Sequence, residues 1–168
     1  MNFPKFQKLV EDRTGFRTME SPTASGEYFS DSCGDMYNFF LKVGPGAVIE
    51  DISYFTTGCG FGTATCSLAV DLAKGKTIDE AAQLTEADIE AQLEGYPEKK
   101  KDYPSRVLEA LRVAIDDYRK KVAAGSVPDF GTMPRAQKAA ETVSKPVAEA
   151  VPAQAQSTDD GKLLIKLH

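Results

Sequence analysis

At Gly58 the apolar pattern of this 168-residue chain changes period, and that switch constrains the fold more than any other feature of the sequence. On the N-terminal side, residues 36–43 are aromatic and β-rich, Gly44-Pro45-Gly46 supplies turn residues, and residues 48–57 read as a second strand, so a β-hairpin or meander is expected. On the C-terminal side Ala64, Leu68 and Leu72 recur every four residues, and Gly75 stands just past Lys74 as a stop, which predicts a helix. Thr77-Ile78-Asp79-Glu80 has the form of a capping box opening another helix, and Thr85 with Asp88 repeats the signal. Pro104 suits the first turn of a last helix, whose apolar stripe is Val107, Leu108, Leu111, Ala114, Ile115 and Tyr118. Strands first and helices afterwards is an α+β order, a small antiparallel sheet packed against helices.

The flanks are simpler. Phe3, Phe6, Leu9 and Val10 fall at helical spacing and predict a short amphipathic helix, whereas residues 14–26 are rich in Thr, Ser, Gly and Pro and read as a loop. Phe39, Phe40, Tyr54 and Phe55 are expected to fill the space between sheet and helices. Lys99, Lys100 and Lys101 read as a solvated loop. Beyond Val122 the composition shifts to Ala, Pro, Lys, Gln and Ser, with Pro128, Pro134, Pro146 and Pro152 interrupting any long helix. The expected organisation is therefore a domain over 1–122 and a disordered Ala/Pro-rich tail over 123–168. The apolar island 162–167 is expected to fray.

Composition excludes several classes. A net charge of −5 offers no electrostatic attraction for nucleic acid or an anionic membrane. No apolar stretch is long enough to span a bilayer, and the first thirteen residues contain no apolar core of signal-peptide type, so the expected location is cytoplasmic. Three cysteines cannot close into a disulfide framework and are expected as free thiols. The one histidine is His168, the last residue, which rules out a site of two cysteines and two histidines within the chain.

Two segments carry the chemistry: Ser32-Cys33-Gly34-Asp35 ahead of a strand, and Thr56-Thr57-Gly58-Cys59-Gly60 between a strand and a helix. A thiolate at a helix N-terminus is stabilised by free amides and the helix dipole, so Cys59 is expected to have a lowered pKa. Such thiolates bind soft metals, and Asp35 adds a harder, faster-exchanging ligand. From these residues alone a metal site and two ordinary buried thiols both stay open. Cys66, seven residues after Cys59 on the same helix, would lie roughly 10 Å along its axis, too far for one small cluster. It is expected in the core.

Taken together, Cys33-Gly34-Asp35 before Phe40-Leu41-Lys42-Val43, then Ile49-Glu50-Asp51 before a strand ending in Thr57-Gly58-Cys59-Gly60, resembles the N-terminal domain of the NifU and IscU scaffolds. The similarity continues through Ser67-Leu68, residues 75–81, Asp88-Ile89 and residues 108–118, and spans about Gly26 to Lys121. The resemblance implies a scaffold or carrier for iron–sulfur cluster assembly, without turnover of its own. Such a protein accepts sulfur from a cysteine desulfurase, binds iron, and passes a labile [2Fe–2S] cluster to apo client proteins. It implies Cys33, Asp35 and Cys59 as ligands.

Departures from the pattern matter as much. Where the family carries a histidine followed by a third cysteine, this chain reads Asp102-Tyr103, and the proline-rich chaperone-recognition segment is reduced to Tyr96-Pro97-Glu98-Lys99. The ligand set implied first is Cys33, Asp35 and Cys59 with Asp102, holding a labile cluster, iron or zinc. A second is a homodimer in which each protomer gives Cys33 and Cys59 to one cluster. Tyr103 reads either as a ferric ligand or, with Asp102, as loop filler. The alternative function is an adaptor that binds the desulfurase or a single metal ion without assembling a cluster. An enzyme using Cys59 as a sulfur-transfer nucleophile would lack a histidine base within the domain.

Overall fold

The structure, a computed structural model, describes residues 1–133, so residues 134–168, with most of the expected tail and its apolar island, lie outside the described residues. The elements run α1 (Phe3–Asp12), β1 (Ala24–Ser30), β2 (Asp35–Gly44), β3 (Val48–Thr56), α2 (Gly60–Ala73), α3 (Ile78–Ala82), α4 (Glu86–Leu93) and α5 (Tyr103–Ala123). The strands form one antiparallel sheet in the order β1-β2-β3, with Phe39 of β2 paired to Gly26 on one side and Tyr54 on the other. This is the α+β architecture expected from the change of period at Gly58. No described helix is long and apolar enough to cross a membrane.

Alternation along β2 sends Tyr37, Phe39, Leu41 and Val43 into the core. Successive side chains in a strand face opposite ways. Phe40 and Phe55 are accordingly only half-buried, and the expectation that all four aromatics fill the core holds for Phe39 and Tyr54 alone. Phe16 covers part of the sheet beside them, with its ring 5.5 Å from that of Tyr54 and 5.7 Å from that of Phe55.

The first three residues of β1, Ala24 to Gly26, fall within the stretch read as loop. They are small for a packing reason: a Cβ on Gly26 would stand 2.1 Å from the backbone nitrogen of Ala114, so the backbones of β1 and α5 meet there. The Ser25 amide donates to Asp117 Oδ2 at 2.9 Å and adds a polar tie between the same two elements. Helix α5 is thereby held along the sheet edge.

The other long helix, α2, is buried through most of Gly62–Val70. Tyr54 Oη lies 3.1 Å from the Thr63 carbonyl and 2.9 Å from Ser67 Oγ, which fastens the first half of α2 to β3. Both capping boxes form, with Thr77 and Glu80 at α3 and Thr85 and Asp88 at α4 exchanging their reciprocal bonds. After α5 the chain makes one further turn, Phe130–Thr132, which rests Phe130 against the core.

Candidate metal and sulfur site

Cys33 sits on the short turn joining β1 to β2. The amides of Cys33 and Gly34 both donate to the Ser30 carbonyl, at 3.3 and 2.8 Å, and Gly34 adopts φ +70, a conformation that suits glycine. The sulfur is exposed, 3.3 Å from Ser30 Oγ. Asp35 opens β2 and accepts a hydrogen bond from Tyr37 Oη at 3.2 Å.

Cys59 is the N-cap residue of α2, its sulfur beside the first-turn amides of Phe61 and Gly62 without a fully formed capping bond. Its approach is tied to the start of β2. The Thr57 amide and Thr56 Oγ1 donate to the Met36 carbonyl at 3.2 and 2.7 Å, and the Met36 amide donates to Thr57 Oγ1 at 3.0 Å. Two thiol-bearing segments far apart in sequence are thus joined through Met36, next to Asp35. Gly58 keeps the gap open: a Cβ there would come within 3.3 Å of Asp35 Oδ2.

The third wall is the start of α5. Tyr103, its first residue, is buried, and its hydroxyl lies 3.3 Å from Cys59 Sγ and 3.3 Å from Lys100 Nζ. Partial burial pushes the Cys59 thiol upward, but the Tyr103 hydroxyl, the Gly62 and Phe61 amides and the Lys100 charge outweigh it, so its pKa lies below the usual thiol value. Tyr103 moves the other way. Burial, then Cys59, Asp35 and Cys33, drive its hydroxyl far above an ordinary phenol, so it stays neutral and serves Cys59 as an O–H donor.

Arg106 stands one turn further along the same face. Its Nη1 donates to Cys33 Sγ at 2.8 Å and its Nη2 to Ser32 Oγ at 2.8 Å, while the guanidinium also pairs with Asp102 and lies 5.3 Å from the centre of the Tyr103 ring. Asp102 is therefore engaged by the same arginine that contacts Cys33. Cys66 is fully buried, and burial pushes its thiol well above the ordinary range, as expected of a core residue. Among the described residues no group of three or more Cys, His, Asp or Glu is arranged to hold a metal ion.

Sequence reasoning left two participants aside and a third open. Tyr103, weighed as a ferric ligand or as loop filler, is buried against Cys59. Lys100, read as part of a solvated loop, lies 5.0 Å over the Tyr103 ring and 5.6 Å over that of Phe61. Arg106 drew no attention at all. The available signal was the Tyr103–Arg106 spacing of three, which sets two side chains on one helix face.

Residues 9–124 match the NifU-like N terminal domain family. The chain belongs to that family. It is 38% identical over 137 residues to the iron-sulfur cluster assembly scaffold protein IscU of Aquifex aeolicus, covering 77% of this chain and 87% of that one. Similarity to IscU 1 of Archaeoglobus fulgidus is also 38%, over 70% of this chain and 71% of the relative. The IscU of Escherichia coli K12 is 34% identical over 63% of this chain and 82% of its own. Among solved structures, a nitrogen-fixing NifU-like protein (N-terminal) from Brucella abortus superposes with a TM-score of 0.55 at 18% identity, over 70% of this chain and 93% of that one. At that identity the likeness shows the NifU-like fold alone.

Proposed function

We propose that this NifU-family protein is an iron–sulfur cluster assembly scaffold in which Cys33 and Cys59 take up sulfur and iron. The observation that carries the reading is the pairing of two exposed sulfurs with neighbouring positions on one helix, Cys59 with Tyr103 and Cys33 with Arg106. The scaffold names of the IscU relatives, at 34–38% identity, support it.

In this reading Cys59 receives the sulfur. Its thiolate, favoured by the Tyr103 hydroxyl and the α2 amides, attacks the outer sulfur of a persulfide on a cysteine desulfurase. The S–S bond of that persulfide breaks, a new S–S bond forms on Cys59, and the desulfurase cysteine leaves as a thiolate. An external electron donor, a thiol or ferredoxin-class reductant, would convert the persulfide sulfur to sulfide and return Cys59 as a thiolate, and iron would bind to Cys33 and Cys59, with Asp35 as a harder oxygen donor. The cargo is a [2Fe–2S] cluster, which needs four protein ligands. Two thiolates and one carboxylate leave it weakly held, which suits release to apo client proteins and requires no turnover by the scaffold itself. A homodimer pooling four thiolates is the arrangement that would hold it more firmly.

The test is anaerobic incubation of the full chain with ferrous iron, cysteine, a thiol reductant and a cysteine desulfurase, followed by absorption spectra and iron and sulfide analysis. A cluster spectrum is expected, lost in Cys33→Ala and in Cys59→Ala and retained in Cys66→Ala. Persulfide on Cys59 with no iron taken up would favour the adaptor reading instead.

A further inference from the structure

Arg106 has no place in the chemistry above, yet it is the group in closest contact with the Cys33 sulfur, at 2.8 Å. Its side chain is only 14% exposed, held between the Cys33 turn and the first turn of α5. Two of its partners, Asp102 and the Tyr103 ring, belong to its own helix, and two, Cys33 and Ser32, belong to the turn opposite. If the turn moves away, the guanidinium keeps its carboxylate and its aromatic face, so breaking the contact strands no buried charge. Cys33 and its neighbours from Asp31 to Gly34 are exposed, so no packed core opposes a shift of the turn. Cys33, Asp35 and Cys59 are not arranged to grip one ion with Arg106 in place.

We propose that Arg106 is a positioning residue that parks the Cys33 sulfur, and that a metal ion entering the site must displace it. The proposal rests on the reading of Cys33 as a ligand. Its thermodynamic sign is fixed. A state in which Arg106 holds the sulfur is one more metal-free state, and removing it can only raise the apparent affinity for metal, provided the contact is absent when metal is bound. Had Arg106 remained on the sulfur in the loaded protein, its loss would lower affinity.

The experiment is an anaerobic titration of the full chain with cobalt(II) alone, read by the sulfur-to-cobalt charge-transfer absorbance. Arg106→Gln is expected to bind cobalt more tightly than wild type, on the order of fivefold, with Arg106→Lys falling between them. In a Cys33→Ser background Arg106→Gln is expected to have no effect, because the parked sulfur is gone. A merely structural role for Arg106 would yield weaker binding and not this gain. Equal or weaker binding by Arg106→Gln overturns the proposal, as does a gain that persists without Cys33, or no cobalt uptake by either protein. Tighter cobalt binding in Arg106→Gln together with failure to form a cluster from iron and sulfide would reject the scaffold reading and leave the parking contact standing.

Discussion

The Tyr103 hydroxyl lies 3.3 Å from the Cys59 sulfur, at the place where the resemblance to NifU and IscU puts a third cysteine. A residue at a ligand position of the family pattern is instead a neutral partner of the Cys59 sulfur. Burial and the neighbouring charges keep the phenol protonated, and its O–H in turn helps hold the Cys59 thiol below its ordinary range. Tyr103→Phe keeps the ring and removes the donor. The alkylation rate of Cys59, followed by mass spectrometry across pH, is expected to shift its midpoint upward in that variant, with a several-fold slower reaction near neutrality. An unshifted profile would mean that the hydroxyl contributes nothing to the thiolate.

Restoring a thiol at that position tests the same geometry from the other side. Tyr103→Cys would place a third sulfur beside Cys59 at the first turn of α5. The half-life of the reconstituted cluster under a chelator is expected to lengthen several-fold. A shortened half-life would mean that the start of α5 does not face the centre.

Gly26 predicts a stability effect remote from the chemistry. A methyl group there would meet the Ala114 backbone nitrogen at 2.1 Å, and helix backbone cannot step aside as a side chain could. Gly26→Ala is expected to cost about 3 kcal/mol, read from urea unfolding. Because α5 carries Tyr103, the Cys59 alkylation midpoint should rise in the same variant.

Asp117 predicts part of the acid sensitivity. Its partial burial works against ionisation, but the Lys121 ammonium at 2.8 Å and the Ser25 amide at 2.9 Å prevail and hold its pKa below the usual carboxylate value. A depressed folded-state pKa gives stability that is complete above the unfolded value, about 3.9, and is lost as pH falls through the lower folded value. Asp117→Asn should therefore flatten the decline of the urea midpoint below about pH 4. An acid limb as steep as wild type would exclude the Ser25–Asp117–Lys121 tie as a contributor.

Much of the fold was legible because its signals are local. Thr77 with Glu80 and Thr85 with Asp88 close their capping boxes within one helical turn, and the alternation of Tyr37, Phe39 and Leu41 belongs to one strand. What escaped depends on partners distant in sequence. The Ser25-Gly26 stretch looks like loop until α5 is seen to need its small side chains. The same division runs through the site. Cys33 and Cys59 stood out by residue type and glycine neighbours, whereas Arg106 gains meaning from a sulfur 73 residues away and Tyr103 from one 44 residues away. Asp102 drew attention by its alignment with a family histidine, and four residues along its own helix an arginine takes its charge.

Whether two sulfurs serve a single centre can be read from their chemical protection. The full chain would be titrated anaerobically with ferrous iron or cobalt(II), and the alkylation of Cys33 and Cys59 followed separately at each addition. Both are expected to become protected together and to saturate at the same metal ratio, while buried Cys66 reacts slowly throughout. Protection of one cysteine alone, or of the two at clearly different metal ratios, would contradict a single centre.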